Sequence, residues 1–252
     1  MKTRNNEINI LSVEFKNYNK AELLKAVEKR IKKDERTLIF TPNPQILLNA
    51  SRNEKFLRIL QSADINIPDG IGILIAAKLL GKPLRERLSG IDIGEALITF
   101  AAREGLSVYF LGGRKGRAEK SARKFREKYP TLDICGCHNG YFSKTGEENE
   151  IVVKNISALK PDILFVCLGS PAQEEWIVNN IGQLHSVKLA MGLGGSFDVW
   201  SGSTHRAPAF MKDAGLEWLW RVMLEPRRIK VFYDIPRFLF KIKKSAPKPK
   251  RS

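Results

Sequence analysis

Residues 162–168 read Asp162-Ile163-Leu164-Phe165-Val166-Cys167-Leu168, and Gly169-Ser170-Pro171-Ala172-Gln173-Glu174-Glu175-Trp176 follows at once. An apolar run with no polar alternation marks a strand buried on both faces of a sheet. The Gly-Ser-Pro turn then opens a helix from Gln173 to Ile181. A strand covered on both faces needs helices on both sides, so strands and helices should alternate around it. Residues 107–111 form such a strand, and Gly112-Gly113-Arg114-Lys115-Gly116 turns into a basic helix ending near Tyr129. A strand over 132–137, a helix over 149–159 and a strand over 187–193 continue the pattern.

The first half repeats it less regularly. A single strand is expected over 8–15. Asn19-Lys20-Ala21-Glu22 reads as a capping box for a helix to Lys33. A strand over 37–40 leads through Thr41-Pro42-Asn43-Pro44 to a helix ending at Ala50. A helix over 54–62 precedes the strand that ends in Ile65-Asn66-Ile67-Pro68-Asp69-Gly70. Residues 71–80 are apolar nearly all round, which predicts a buried helix. A charged loop over 84–90 and a helix over 92–104 complete the half. The fold class is therefore α/β: a doubly wound, Rossmann-like parallel sheet flanked by helices.

Open sheets of this kind bind ligands at the carboxyl ends of their strands. Asp69 falls there, beside Gly70, which permits a sharp turn and close approach of a ligand. Thr41 and Asn43 fall at the end of the preceding strand. Together they describe a cleft lined by an acid, a hydroxyl and an amide; capping of the next helix is the competing role for Asp69. Gln173, in the first turn of its helix, can donate and accept at once. Glu174 and Glu175 read as partners of the helix dipole and Trp176 as core. The turn at 112–116 can hold a phosphate on its N–H groups, but it lacks the Gly-x-Gly-x-x-Gly fingerprint of a dinucleotide oxidoreductase. Gly192-Leu193-Gly194-Gly195-Ser196-Phe197-Asp198 offers close backbone approach at Gly195 and a ribose acceptor at Asp198. Arg87, in the charged loop, has the fork geometry that clamps a diphosphate. Cys135-Gly136-Cys137-His138 lacks the distant second half of a zinc site, so neither a metal nor another cofactor is expected.

The chain has 252 residues, 43% hydrophobic and 28% charged, which supports a sizeable core. Three cysteines make no disulfide framework, and no run reaches the length of a membrane-spanning helix, so a cytoplasmic location is expected. The formal net charge is +16, and residues 221–252 hold 11 basic and 2 acidic residues. More than half of the excess is thus in the last 32 residues, a localised patch that seeks phosphate. Leu216-Glu217-Trp218-Leu219-Trp220-Arg221 starts an aromatic helix. Beyond Arg227, Val231, Phe232, Ile235, Phe238, Leu239 and Ile242 fall on one side in helical phase, with Lys230, Asp234, Arg237, Lys241 and Lys244 on the other. That is the pattern of a helix lying in an anionic membrane interface, and equally of a helix pair packed on the domain. Pro236 is expected to break or kink it. The expected organisation is a core over 1–214, a basic amphipathic helical appendage over 215–244 and a disordered basic tail over 245–252. An apolar tail face would favour self-association into a homo-oligomer when no membrane is present. A nucleic-acid-binding role is the rival, but the tail's aromatic residues lie on an apolar stripe and form no stacking platform with the cations, so no nucleic-acid partner is expected.

Taken in order, Thr41-Pro42-Asn43, Pro68-Asp69-Gly70, Arg87 with Ser89-Gly90, Gly112-Gly113, Gly169 to Glu174, Gly192 to Asp198 and His205-Arg206-Ala207-Pro208 resemble the WecG/TagA/CpsF family of bacterial glycosyltransferases, most nearly its TagA branch. The resemblance covers roughly residues 10 to 228. It implies an inverting, metal-independent transfer of N-acetylmannosamine from a UDP donor to undecaprenyl-diphosphate-linked N-acetylglucosamine, a step of wall teichoic acid synthesis in Gram-positive bacteria. The enzyme would sit peripherally on the inner face of the cell membrane. By the same resemblance Asp69 is the general base, and Thr41, Asn43 and Gln173 orient the sugar. Arg87 meets a phosphate, Gly195 and Asp198 lie near the nucleoside, and Arg221, Arg227 and Arg228 meet the lipid diphosphate. A related transferase using another UDP-sugar is the alternative.

Overall fold

A computed structural model of the chain describes residues 7–225 and 229–245. Its centre is a six-stranded, wholly parallel sheet built from β3 (Thr37–Phe40), β4 (Ile65–Asn66), β5 (Val108–Gly112), β6 (Ile134–His138), β7 (Ile163–Cys167) and β8 (Leu189–Gly192). The spatial order is β4-β3-β8-β7-β5-β6. β7 lies between β5 and β8, and all five of its residues are buried. Its run is apolar throughout because both faces are covered. Leu164 and Val166 enter one core, while Ile163, Phe165 and Cys167 enter the other.

Twelve helices surround the sheet among the described residues: α1 (Lys20–Lys32), α2 (Pro44–Ala50), α3 (Glu54–Gln61), α4 (Ile71–Leu79), α5 (Gly90–Glu104), α6 (Arg117–Lys128), α7 (Gly146–Leu159), α8 (Ala172–Asn180), α9 (Ser196–Trp200), α10 (Ala209–Asp213), α11 (Glu217–Leu224) and α12 (Lys230–Ser245). The Asn19 capping box of α1 is present, with Asn19 accepting from the Glu22 N–H and Glu22 accepting from the Asn19 N–H. From β5 the chain passes through α6 to the outer strand β6; from β7 it passes through α8 in the opposite direction to β8. α6 packs on one face and α8 on the other. The ends of β5 and β7 therefore diverge, which opens a crevice at a topological switch point. Gly112 makes this possible: its φ is 117°, and a Cβ there would lie 2.3 Å from the Cys167 carbonyl oxygen.

Three local expectations are corrected. The expected strand over 8–15 is an antiparallel hairpin of β1 (Glu7–Ile10) and β2 (Val13–Lys16). Leu11 and Ser12 take left-handed φ values of 49° and 68°, the two-residue turn whose twist matches paired strands. Asn9 Oδ1 accepts from the Ser12 N–H at 3.0 Å and steadies that turn. Helix α4 is not buried all round: Ile75 and Leu79 face outward. Pro236 neither breaks α12 nor ends it. Pro236 and Phe232, one turn earlier, are both on the exposed side, where water can take the carbonyl that proline leaves without an N–H partner.

Helix α12 is packed on the domain against α2 and α4. Phe238 and Ile242 are fully buried in the core on that face. Lys241 Nζ donates to Ser51 Oγ at 2.7 Å, and Gln45 Nε2 donates to Asp234 Oδ2 at 3.0 Å. The expected tail over 245–252 lies outside the described residues except for Ser245, which closes α12. Replacing Phe238 by alanine should remove about 3–5 kcal/mol of stability through lost burial and a residual cavity. Thermal unfolding of the full chain checks this, and an unchanged midpoint would show α12 to be only loosely attached.

Candidate active site

The loops at the carboxyl edge of the sheet enclose two connected spaces. The first is a cleft of about 550 Å3 lined by Thr41, Asn43, Asp69, Ser89, Gln173, Gly194, Gly195 and Arg221, among others. The second is a smaller cavity of about 120 Å3 that shares Asn43, Gln45, Asp69, Ser89, Arg221 and Asp234 and adds Pro44, Ile71, Arg87, Glu217 and Trp218. Asp69 thus lies where the two meet.

Local structure sets Asp69 there. Strand β4 ends at Asn66, the Asp69 N–H donates to the Pro42 carbonyl, and Gly70 (φ 88°) turns the chain into α4. Pro44, at the start of α2, closes down on Gly72, where a Cβ would come within 2.5 Å of its ring. The carboxylate of Asp69 accepts no hydrogen bond among the described residues, which leaves both oxygens to the cleft. It keeps some solvent contact through that opening, yet protein surrounds it. Burial pushes its pKa up to about 6. Arg221 and Arg87 oppose the rise, while Glu217 and Asp92 add to it.

Asn43 caps α2, its Oδ1 accepting from the Ile46 N–H at 3.0 Å, so its amide N–H groups remain for the cleft. Thr41 donates to the Gly192 carbonyl at 3.3 Å. Gln173 is buried, and its Oε1 accepts from the Gly194 N–H at 2.8 Å. The structure therefore brings Thr41, Asn43, Asp69, Gln173, Gly195 and Arg221 into one cleft.

Arg87 borders the smaller cavity but is engaged. Its Nη1 pairs with Glu217 Oε2 at 3.3 Å and its Nη2 donates to the Lys212 carbonyl at 3.1 Å. Glu217 also pairs with Arg206, whose two terminal nitrogens grip Asp92 at 2.5 and 2.7 Å. Burial would raise Asp92, but the hydrogen bonds and charge of Arg206 outweigh it and hold its carboxyl below the usual range. This chain of charges ties α11 to the start of α5 and to the loop over 84–90.

Asp198 lies further along the edge. It shares a space of about 290 Å3 with Gly113, Tyr141, Gly169, Gly194 and Gly195, at the switch-point crevice, and Arg117 Nε stands 3.6 Å from its carboxylate. Beyond it, Arg114, Lys115, Arg117 and Lys120 line a basic hollow of about 530 Å3. Helix α9 carries Asp198 and is anchored beneath by Phe197 and Trp200, which pack with Phe110, Phe125 and Phe165. Arg227 and Arg228 lie outside the described residues. Cys135 and Cys137 sit on β6, and among the described residues no three His, Cys, Asp or Glu side chains converge as metal ligands.

The sequence reading missed the Asp92–Arg206–Glu217–Arg87 network, the cleft position of Asp234 and the burial of Glu174. Asp234 carried only the signal of helical phase. Glu174 was expected to serve the helix dipole; it is instead fully buried, accepting from Gln173 Nε2 at 2.8 Å.

Residues 8–252 match the glycosyl transferase WecG/TagA/CpsF family. A Bacillus spizizenii protein named N-acetylglucosaminyldiphosphoundecaprenol N-acetyl-beta-D-mannosaminyltransferase is 36% identical over 201 residues, 80% of this chain and 76% of that protein. A Staphylococcus aureus protein of the same name is 31% identical over 248 residues, 98% of this chain and 96% of that protein. A match across nearly the whole chain, on a cleft with these residues at its carboxyl edge, gives a plain conclusion: the chain belongs to the WecG/TagA/CpsF family of glycosyltransferases.

Proposed function

We propose that the protein transfers N-acetylmannosamine from UDP-N-acetylmannosamine to undecaprenyl-diphosphate-linked N-acetylglucosamine, with inversion and without a metal. The activity for which the two relatives are named supports the sugar and the acceptor. The observation that carries the mechanism is Asp69, without a hydrogen bond or ion pair among the described residues, surrounded by protein and shared by the two cavities.

In this reading the acceptor hydroxyl attacks the anomeric carbon of the donor from the face opposite UDP. Its proton passes to Asp69 as the new glycosidic bond forms. The bond to the β-phosphate oxygen breaks, and UDP leaves with the electron pair. A base with a pKa of about 6 is ionised at neutral pH and still takes a proton readily. Arg221, which faces both cavities, is placed to stabilise charge on a diphosphate. Thr41, Asn43 and Gln173 supply hydrogen bonds that orient the sugar, and Asp198 lies with Gly195 where a nucleoside would sit. Arg87 reaches a phosphate only if its bond to Glu217 loosens.

The lipid-linked acceptor gives the exposed apolar residues a use. Met223 and Leu224 on α11, Tyr233 and Phe240 on α12, and Ile75 and Leu79 on α4 are all exposed. With the positive carboxyl-terminal charge they fit a protein held peripherally on an anionic inner membrane face. No helix among the described residues is long and apolar enough to cross a membrane.

The direct test is incubation with UDP-N-acetylmannosamine and a soluble lipid-diphosphate N-acetylglucosamine analogue, with mass detection of the disaccharide. Other UDP-sugars serve as rival donors, and a clear preference for one of them would replace the sugar assigned here. Asp69→Asn should lower turnover by about 10²–10⁴-fold while UDP binding persists. The same variant should be more heat-stable at pH 7. The folded-state pKa lies above the unfolded value, so the fold binds the proton more tightly and loses stability as pH rises from 4 through 6. Removing the ionised group at pH 7 should therefore add on the order of 1–3 kcal/mol. Near-normal turnover by Asp69→Asn removes the residue from its role.

The pH profile follows with its sign. Ionised Asp69 is the active form, so kcat/KM should fall tenfold per unit below about pH 6 and level off above it. A profile flat down to pH 5 would point to another base. For the membrane, Met223→Asp with Phe240→Asp should weaken flotation with anionic vesicles and leave the thermal midpoint nearly unchanged, since both side chains are exposed. Undiminished flotation would move the contact elsewhere.

A further inference from the structure

We infer that Glu174 is a positioning residue, which fixes the side-chain amide of Gln173 so that one Nε2–H points into the substrate cleft and donates to an oxygen of the sugar nucleotide. The inference rests on the cleft being the transfer site proposed above.

Two adjacent glutamates open α8, and they do different things. Glu175 is half-buried and suits the helix dipole. Glu174 has no solvent exposure, its Oε1 accepts from Gln173 Nε2 at 2.8 Å, and its Oε2 has no hydrogen-bond partner among the described residues. A carboxyl buried without a cation destabilises the fold. Its strongest side-chain contact is with Gln173, ahead of a weaker one with Ser170, so its effect is exerted chiefly there.

Gln173 is held from two sides. Its Oε1 accepts from the Gly194 N–H at 2.8 Å, and one Nε2–H goes to Glu174. An amide has two N–H donors in one plane with its oxygen. With the oxygen and one N–H assigned, one N–H remains. Gln173 itself lines the cleft that holds Thr41 and Asp69. Strand β8 leaves room for the amide: a Cβ on Gly192 would stand 2.8 Å from Nε2. Flipping the amide would set N–H against the Gly194 N–H and oxygen against the Glu174 oxygen. Both buried bonds would be lost together. Burial raises the pKa of Glu174, and the arrangement tolerates this, because a proton on Oε2 leaves Oε1 free to accept.

The test uses the full chain with four variants: Glu174→Gln, Glu174→Leu, Gln173→Ala and the double Gln173→Ala/Glu174→Leu. Readouts are kcat and KM for UDP-N-acetylmannosamine, affinity for that donor by calorimetry, and the thermal midpoint. Glu174→Leu keeps the shape without the acceptor and should lower kcat/KM about tenfold, the worth of one hydrogen bond, with a midpoint at or above that of wild type. Glu174→Gln, whose carbonyl still accepts, should remain within about threefold. In the Gln173→Ala background, Glu174→Leu should cost nothing further. Wild-type kcat/KM in Glu174→Leu overturns the inference, as does an equal further loss in the Gln173→Ala background. Glu174→Met replaces Glu174→Leu should the latter not fold. Absence of transfer by wild type from any UDP-sugar overturns the functional reading instead; the inference then stands or falls on whether Glu174→Leu weakens donor binding in the calorimeter.

Discussion

An ionisable group surrounded by protein and given no partner is unstable in two ways. It raises the energy of the fold when charged, and it relaxes toward any cation within reach. Among the described residues Asp69 is in that position, with its pKa pushed up to about 6. Of the nearby cations two are occupied: Arg206 is gripped by Asp92 and Glu217, and Arg87 by Glu217 and the Lys212 carbonyl, while Arg221 faces the same cavities as Asp69 and restrains its shift without a hydrogen bond to it. Glu217 thus binds two arginines that would otherwise neutralise the cleft, and adds its own negative charge to the field at Asp69. The basicity of Asp69 is a property of this whole arrangement, which spans the start of α5, the loop over 84–90 and α11.

How much of this the sequence announces depends on the range of the interaction. The strand 162–168 was legible because burial on both faces leaves a continuous apolar run, a purely local signal. The hairpin at 7–16 was missed although its signal is local too. Buried residues Ile8 and Ile10 are in one phase and Val13 and Phe15 in the other, a slip of one residue that a single strand cannot make. The turn residues Leu11 and Ser12 are poor advertisements for a left-handed pair, which is why the slip was overlooked. The Asp92–Arg206 pair joins residues 114 apart and leaves no pattern in the chain. The cleft residues Thr41, Asn43, Asp69 and Gln173 were legible only as strand ends; that they share one space is a consequence of sheet order.

Helix α12 shows the limit of reading a helix by phase alone. Its apolar stripe is consistent with lipid or with protein, and the structure divides it. Phe238 and Ile242 enter the core, Leu239 packs beside them, and Phe240 and Tyr233 remain outside. The helix is also part of the site, because Asp234 lines both cavities and receives a hydrogen bond from Gln45. A segment that rests on the core, borders the cleft and exposes apolar side chains links whatever meets those side chains to the geometry around Asp69. Removing the whole segment would therefore test three things at once, whereas exposed positions such as Phe240 separate them.

Asp69 and Glu174 are both carboxyls shifted upward by burial, yet their surroundings give them opposite capacities. Asp69 opens onto the cleft, feels arginines that restrain the shift, and can exchange a proton with a ligand. Glu174 has no solvent exposure and lies behind Gln173, away from the cleft. The same desolvation raises both groups, but only Asp69 opens on the cleft, while Glu174 spends one oxygen as an acceptor for Gln173. The chemical difference lies in access to the cleft: the shifted group that a ligand can touch changes its proton, and the one behind it sets the angle from which the ligand is held.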